Sequence, residues 1–181
     1  MIETERLRLR NWREDDIEPF VRHLNTAPVM RWLGGVRTAE EHGETIRGRV
    51  IPWQQIRGFT FWVVERKSDD ALLGFCGLKL ASDPGSPVEG QLEIGWRLRE
   101  DAWGQGYAGE AAGASLDFAF GRLEAPHVVA LTVEGNAPSR RLMSRLGMTR
   151  RPELDYEGPD WAEGPVIVYR IEREEWQARS S

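Results

Sequence analysis

Cysteine is nearly absent from this chain: Cys76 is the only one among 181 residues. That excludes a disulfide framework and a cysteine-based zinc site. Histidine is scarce too. His23, His42 and His127 stand far apart with no ligand spacing, so no metal is expected. Positive charge is not in excess. A net charge of −5 and an isoelectric point of about 5.4 argue against direct nucleic-acid binding. No apolar run approaches the ~18 residues of a membrane span. The opening MIETERLRLR is charged from residue 3 and lacks the apolar stretch of a signal peptide, so a cytoplasmic location is expected. Internal repeats and low-complexity linkers are missing. What remains has an ordinary globular balance, 40% hydrophobic and 29% charged. The length suits one domain over residues 1–181, large enough to bury roughly 70% of its unfolded surface.

Hydrophobic periodicity outlines the elements. Leu7 and Leu9 alternate with arginines, which predicts a half-buried strand. Ile17, Phe20, Val21 and Leu24 recur at helical spacing. Thr38 and Glu41 form a capping box, so a helix starts there and runs towards Pro52. Phe59 to Glu65 and Ala71 to Leu80 read as an antiparallel hairpin. Residues 82 to 90 are a loop, and Leu92 to Leu98 alternate as another strand. A helix from about Gly104 to Phe120, a strand from Val128 to Val133 and a helix from Asn136 to Leu146 follow. A strand over Pro165 to Ile171 and a short helix around Glu174 close the chain. The sum is a mixed α/β domain with a central, mostly antiparallel sheet of about seven strands.

The stretch from Gly104 to Gly109, GQGYAG, has the form G-x-G-x-x-G. A dinucleotide fingerprint would need the tight turn directly after a strand. Here Glu100, Asp101, Ala102 and Trp103 intervene, and too little chain follows for a two-half dinucleotide fold. A dinucleotide-binding oxidoreductase is therefore disfavoured. A phosphate cradle keeps the same physics: glycines let backbone N–H groups approach one anion, and a helix adds its positive end. A strand-to-helix turn that binds nothing stays open beside it.

Leu92 to Leu98, Trp103 to Ala111, Asn136 to Ser139 and Leu146 to Met148 together resemble the GNAT N-acetyltransferases. The branch they resemble is that of the ribosomal-protein N-terminal acetyltransferases RimJ and RimL. Thr4 to Arg10 and Val168-Tyr169 fit the same pattern, so the resemblance spans essentially the whole chain. Trp103 departs from the glutamine or arginine usual at its place, and Gly109 stands where the branch often has threonine. The resemblance implies a sheet splayed in the middle for CoA. It implies transfer of an acetyl group from acetyl-CoA to a primary amine, on a protein N-terminus or a small molecule, by direct attack in a ternary complex. A homodimer is left open. A non-catalytic acyl-CoA-binding regulator is the competing class.

The resemblance also assigns residues. Backbone groups of Gly95, Trp96, Arg97 and Leu98 would pair with the pantetheine arm, as an exposed strand edge allows. Gly104, Gln105, Gly106, Tyr107, Ala108 and Gly109 would hold the pyrophosphate. Asn136 would bond the pantetheine amides, and Arg141, in a cluster with Arg140, Arg145, Arg150 and Arg151, would meet the 3′-phosphate. A solvated helix face explains that cluster equally. Glu93 is the candidate base, or else half of a cross-strand pair. Ser139 is the candidate acid, or else a helix cap. Met143 stands where many of these enzymes have a tyrosine, and it cannot donate a proton. Trp32, Trp53 and Trp62 would line an acceptor pocket or fill the core. Asp83, Glu89, Asp155, Glu157, Asp160 and Glu163 would attract a cationic amine or merely solvate loops. Cys76 reads as a small buried hydrophobe.

Overall fold

Leu7 and Leu9 are fully buried, as their alternation predicts, and they anchor one edge of an open sheet. The computed structural model describes residues 1–162 and 164–179. Among these residues the strands are β1 (Ile2–Glu3), β2 (Leu7–Arg10), β3 (Phe61–Arg66), β4 (Leu72–Leu80), β5 (Leu92–Leu98), β6 (His127–Val133), β7 (Thr149–Arg150) and β8 (Val166–Glu172). They form one sheet in the order β1-β2-β3-β4-β5-β6-β8-β7. Every neighbouring pair is antiparallel except β5 and β6. The expected count of about seven becomes eight. The two-residue β1 and β7 are too short to show alternation.

The parallel pair positions the site. β5 pairs with β4 along its whole length, from Leu92 to Leu98. β6 pairs with β8 along its whole length, from His127 to Val133. Between the two halves only Glu93 and Val129 are in register. The halves therefore diverge beyond Glu93, which leaves the rest of β5 without a partner strand on that side.

Helices cover both faces. On one face lies α5 (Tyr107–Gly121), whose Ala111, Ala112, Leu116 and Ala119 are fully buried against β-sheet residues such as Leu78 and Ile94. Small side chains let this helix sit close to the sheet. Truncating Leu116 would open a cavity costing about 2–5 kcal/mol. The other face carries α1 (Ile17–Leu24), α2 (Ala27–Met30), α3 (Ala39–Thr45) and α4 (Ile51–Arg57) around a second core with Trp12, Phe20 and Val63. The Thr38–Glu41 capping box is present at the start of α3. A π-helical segment over residues 46–50 links α3 to α4, so the helical run passes Pro52, which sits in the first turn of α4. Beyond the gap, α6 (Ala137–Arg145) follows β6, and α7 (Arg173–Arg179) closes the described chain. No helix among the described residues is long and apolar enough to cross a membrane.

Candidate active site

A cleft of about 1250 Å³ opens where β5 and β6 part. Trp96, Arg97 and Leu98 line it from β5, the glycine loop and the first turn of α5 from one end, and Asn136, Ser139 and Arg145 from the start and inner side of α6. Trp32 and Leu33, after α2, close it on a third side. Gly135 is needed here: a Cβ on it would lie 2.7 Å from the Trp32 ring.

The loop before α5 has an uncommon state. Gly104 and Gly106 have φ of +71° and +84°, a region that L residues rarely adopt. Gly106 is the N-cap of α5 and offers no side-chain cap. The backbone N–H groups from Gly104 to Gly109 donate no hydrogen bond among the described residues. A bare helix N-terminus of this kind favours an anion. One side chain holds the loop from behind. Arg6 donates to the Gln105 carbonyl at 3.0 Å, bonds Glu110 of the first helical turn, and stacks 4.5 Å from the centre of the Tyr107 ring. Glu110 also accepts from the Thr4 hydroxyl and the Arg6 amide. Along the sequence, Thr4 to Arg10 shows only the pattern of a strand. Partners about a hundred positions away leave no local signal.

The unpaired edge of β5 is more selective than expected. The Arg99 amide bonds Leu73 across β4, so strand alternation turns the backbone of Gly95 and Arg97 towards β4. Those two residues are already paired, which corrects their expected role with the pantetheine arm. Trp96 and Leu98 face the gap instead. The Leu98 carbonyl accepts from the Trp103 indole N–H at 2.8 Å. That leaves the Trp96 N–H and C=O and the Leu98 N–H for an extended ligand. Gly95 has another role: a Cβ there would sit 2.8 Å from the Phe61 ring.

Glu93 stands at the vertex of the splay and does not line the cleft. It is buried, with the Lys79 ammonium 2.6 Å from Oε2, in cross-strand register but off the hydrogen-bonding direction. Burial pushes its pKa above the ordinary carboxylate value despite Lys79, and nearby Asp83 adds to the rise. Tyr156 belongs to the same cluster. Its hydroxyl donates to Asp83, and burial, with Asp83 and Glu93, keeps the phenol protonated. Lys79 and Tyr156 lie 14 and 63 positions from Glu93 in the sequence, and only the strand register brings them to it.

Asn136 caps α6: its side-chain oxygen accepts from the Ser139 amide at 3.3 Å, and its Nδ2 has no partner among the described residues. Ser139 is thus inside the helix and not its cap. Ser139 lines the cleft, and its hydroxyl makes no hydrogen bond among the described residues. Arg141 is exposed and lies outside the lining, whereas Arg145, one turn later, lines it. Arg140 and Arg150 both pair with Glu134. The Gln105 side chain bonds the Asp101 carbonyl and also stays outside the lining. Met143 and Trp62 are buried in the core. Trp53 stacks under Arg57, and Trp32 alone of the three candidate tryptophans reaches the cleft. Asp83 and Asp155 are engaged with Tyr156 and Arg150, and Glu89 caps Gly85. Glu157 and Asp160 are exposed, and Glu163 lies outside the described residues. Cys76 is buried next to Ser115, and burial pushes its thiol up to about 12, which leaves it inert. No group of three or more His, Cys, Asp or Glu side chains among the described residues is placed to hold a metal ion.

An extended ligand with a multiply charged phosphate end matches this cleft from the Trp96 edge to the α5 entrance. Comparison with known proteins points the same way. A family model described as an acetyltransferase (GNAT) domain matches residues 6–149. The chain belongs to this acetyltransferase family. YkkB of Bacillus subtilis (strain 168) is 31% identical over 150 residues, covering 80% of this chain and 83% of that protein. The solved acetyltransferase from Agrobacterium tumefaciens str. C58 superposes with a TM-score of 0.78 at 26% identity, over 94% of this chain and 93% of its own. Aminoglycoside acetyltransferase AAC(6')-Ib, solved in complex with coenzyme A, shares the fold with a TM-score of 0.76 at 18% identity, over 97% and 98% of the two chains. The single parallel pair in the sheet sets it apart from a doubly wound dinucleotide fold.

Proposed function

We propose that this protein is an N-acetyltransferase that moves an acetyl group from acetyl-CoA to a primary amine by direct attack in a ternary complex. The observation that carries the reading is the row of unpartnered amides from Gly104 to Gly109 at the uncapped start of α5. Gly104 to Gly106 are exposed and Tyr107 to Gly109 buried or half-buried, so the row is open to a ligand at one end and short of partners at the other, and a pyrophosphate satisfies several of these N–H groups at once. Family membership and the resemblance to the RimJ and RimL branch support the choice of acetyl donor and amine acceptor.

Acetyl-CoA, when bound, supplies an activated acyl group as a thioester. The residues of this chain do the rest. The loop amides hold phosphate, with Arg145 as the nearer cation for a further phosphate. Asn136 donates from Nδ2 to an amide carbonyl. The Trp96 N–H, facing the gap, stabilises an oxygen on which charge develops. Glu93 takes the proton of the incoming ammonium through water, since it sits about 10 Å along the strand from Trp96. Ser139 returns a proton to the departing thiolate. The ion pair of Glu93 with Lys79 favours a second reading, a CoA-binding protein without turnover. Calorimetry with acetyl-CoA and NAD tests the donor site. Micromolar acetyl-CoA binding and silence with NAD are expected, and the reverse pattern would overturn the reading.

A further inference from the structure

Arg97 is a cation without an anion. Its side chain projects from β5 on the face opposite Trp96 and Leu98, beneath α1. The guanidinium lies 5.2 Å from the centre of the Phe75 ring and 5.9 Å from that of Phe20. It makes no hydrogen bond or ion pair among the described residues, and its Nε is enclosed without a partner. Burial, with the charge of Arg37 nearby, pulls its pKa down to about 10. Arg97 as a whole is half-buried, and an unpaired charge held partly away from water is costly to the fold. Arg97 also lines the cleft where the sheet halves part. An expensive cation that faces an opening is explained by a ligand that brings the missing anion.

The surroundings have a polarity. At the vertex of the splay, Asp83 adds negative charge beside Glu93, whose own charge is matched by Lys79 at 2.6 Å. Four residues further along β5, about 13 Å away at strand rise, the charge is positive, with Arg97 and Arg37. Phe61 and Phe75, stacked 5.1 Å apart, form an apolar wall between the ends. An ammonium group is drawn to the first end and a carboxylate to the second.

On the footing of the acetyltransferase reading, we infer that the acceptor is a small amine that also bears a carboxylate, and that Arg97 binds the carboxylate. Arg97 is then a specificity residue. A charge-assisted fork to a carboxylate contributes about 1.5–3 kcal/mol, or roughly 10- to 150-fold in discrimination.

The test pairs acceptors whose amine and carboxylate are several bonds apart, ω-amino acids and short peptides, with their carboxamides and follows thiol release from acetyl-CoA. The acids should show at least tenfold higher kcat/KM than their amides. Arg97→Met should erase that ratio by raising KM for the acids roughly tenfold or more beyond any change in KM for the amides. Arg97→Lys should restore part of it. Thermal melting separates a structural role: Arg97→Met should melt no lower than wild type, because it removes an unpaired, half-buried charge and keeps an apolar side chain against Phe20 and Phe75. Amines acetylated with no preference for the carboxylate would overturn this inference and leave the acetyltransferase reading standing. So would an Arg97→Met variant that melts well below wild type with the acid-to-amide ratio intact. No thiol release with any amine would overturn both.

Discussion

Gly106→Val separates the cost of bending the chain from the cost of losing a ligand. Gly106 has φ +84°, and a Cβ there would meet only Arg6 Nη2, at 3.3 Å. A non-glycine residue in the left-handed region costs about 1–2 kcal/mol, with a β-branched one at the upper end. For a chain of this length each kcal/mol lowers the melting temperature by about 2–4 °C, so a fall of roughly 2–8 °C is expected. Gly58 supplies the control. Its φ is +73° at the end of α4, it lies outside the cleft lining, and nothing lies within 4 Å of a Cβ placed on it. Gly58→Val should destabilise by a similar amount and leave acetyl-CoA binding alone. In Gly106→Val the isopropyl group stands where the backbone must approach a phosphate. Each charge-assisted hydrogen bond lost should weaken binding roughly 10- to 150-fold. Calorimetry well below both melting temperatures reads the affinities. If Gly106→Val folds, melts like Gly58→Val and binds acetyl-CoA within twofold of wild type, the loop amides do not hold the phosphates.

Three further changes probe other links. Glu93→Gln should lower turnover roughly a hundredfold near neutral pH without changing acetyl-CoA affinity, and the deficit should shrink as pH rises and the acceptor amine becomes neutral unaided. Because burial raises the Glu93 pKa, the acid limb of the wild-type profile should lie above the ordinary carboxylate range. Equal pH–rate profiles would assign Glu93 to its pair with Lys79. Arg6→Ala should weaken acetyl-CoA several-fold with a stability loss of only about 1 kcal/mol, since its ion pair with Glu110 is partly exposed; unchanged affinity would show that the loop needs no clamp. Glu65→Gln should cost about 1.5–3 kcal/mol in urea melts, because it removes the charge from a nearly buried 2.6 Å pair with Arg10, which keeps its other partner Asp16. Burial alone would raise the Glu65 pKa, but hydrogen bonds from Arg10 and Arg8 outweigh it and lower it. Its stabilisation is therefore complete above the unfolded value of about 4.3 and is lost as pH falls through the lower folded value. The gap between wild type and variant should close on that acid side, and a gap independent of pH would contradict the sign.

Much of this architecture is legible along the chain, for local reasons. Period-two runs such as Leu92 to Leu98 mark strands, and the Thr38–Glu41 box marks a helix start, because both signals lie within a few residues. The glycine loop is legible for the same reason, although the helix starts at Tyr107 and not near Gly104. What escaped depends on distant partners or on register parity. Alternation puts Glu93 and Arg97 on one face, but only the pairing of β4 with β5 decides which backbone groups are left over. That parity takes Gly95 and Arg97 out of the backbone edge and leaves Trp96 and Leu98. Arg141 and Arg145 are neighbouring turns of α6, and which of them meets the cleft depends on how the helix is rotated against the sheet. The π-helical segment over residues 46–50 carries no pattern that separates it from the helix around it.

Amine-dependent release of free thiol from acetyl-CoA tests the central claim most directly. The assay needs the wild-type protein, acetyl-CoA and a panel of primary amines that includes amino acids, their amides and short peptides. The account predicts thiol release that requires both protein and amine, with a mass gain of one acetyl group on the amine. Tight acetyl-CoA binding with no amine-dependent thiol release anywhere in the panel would contradict it, and would make the cleft a binding site without turnover.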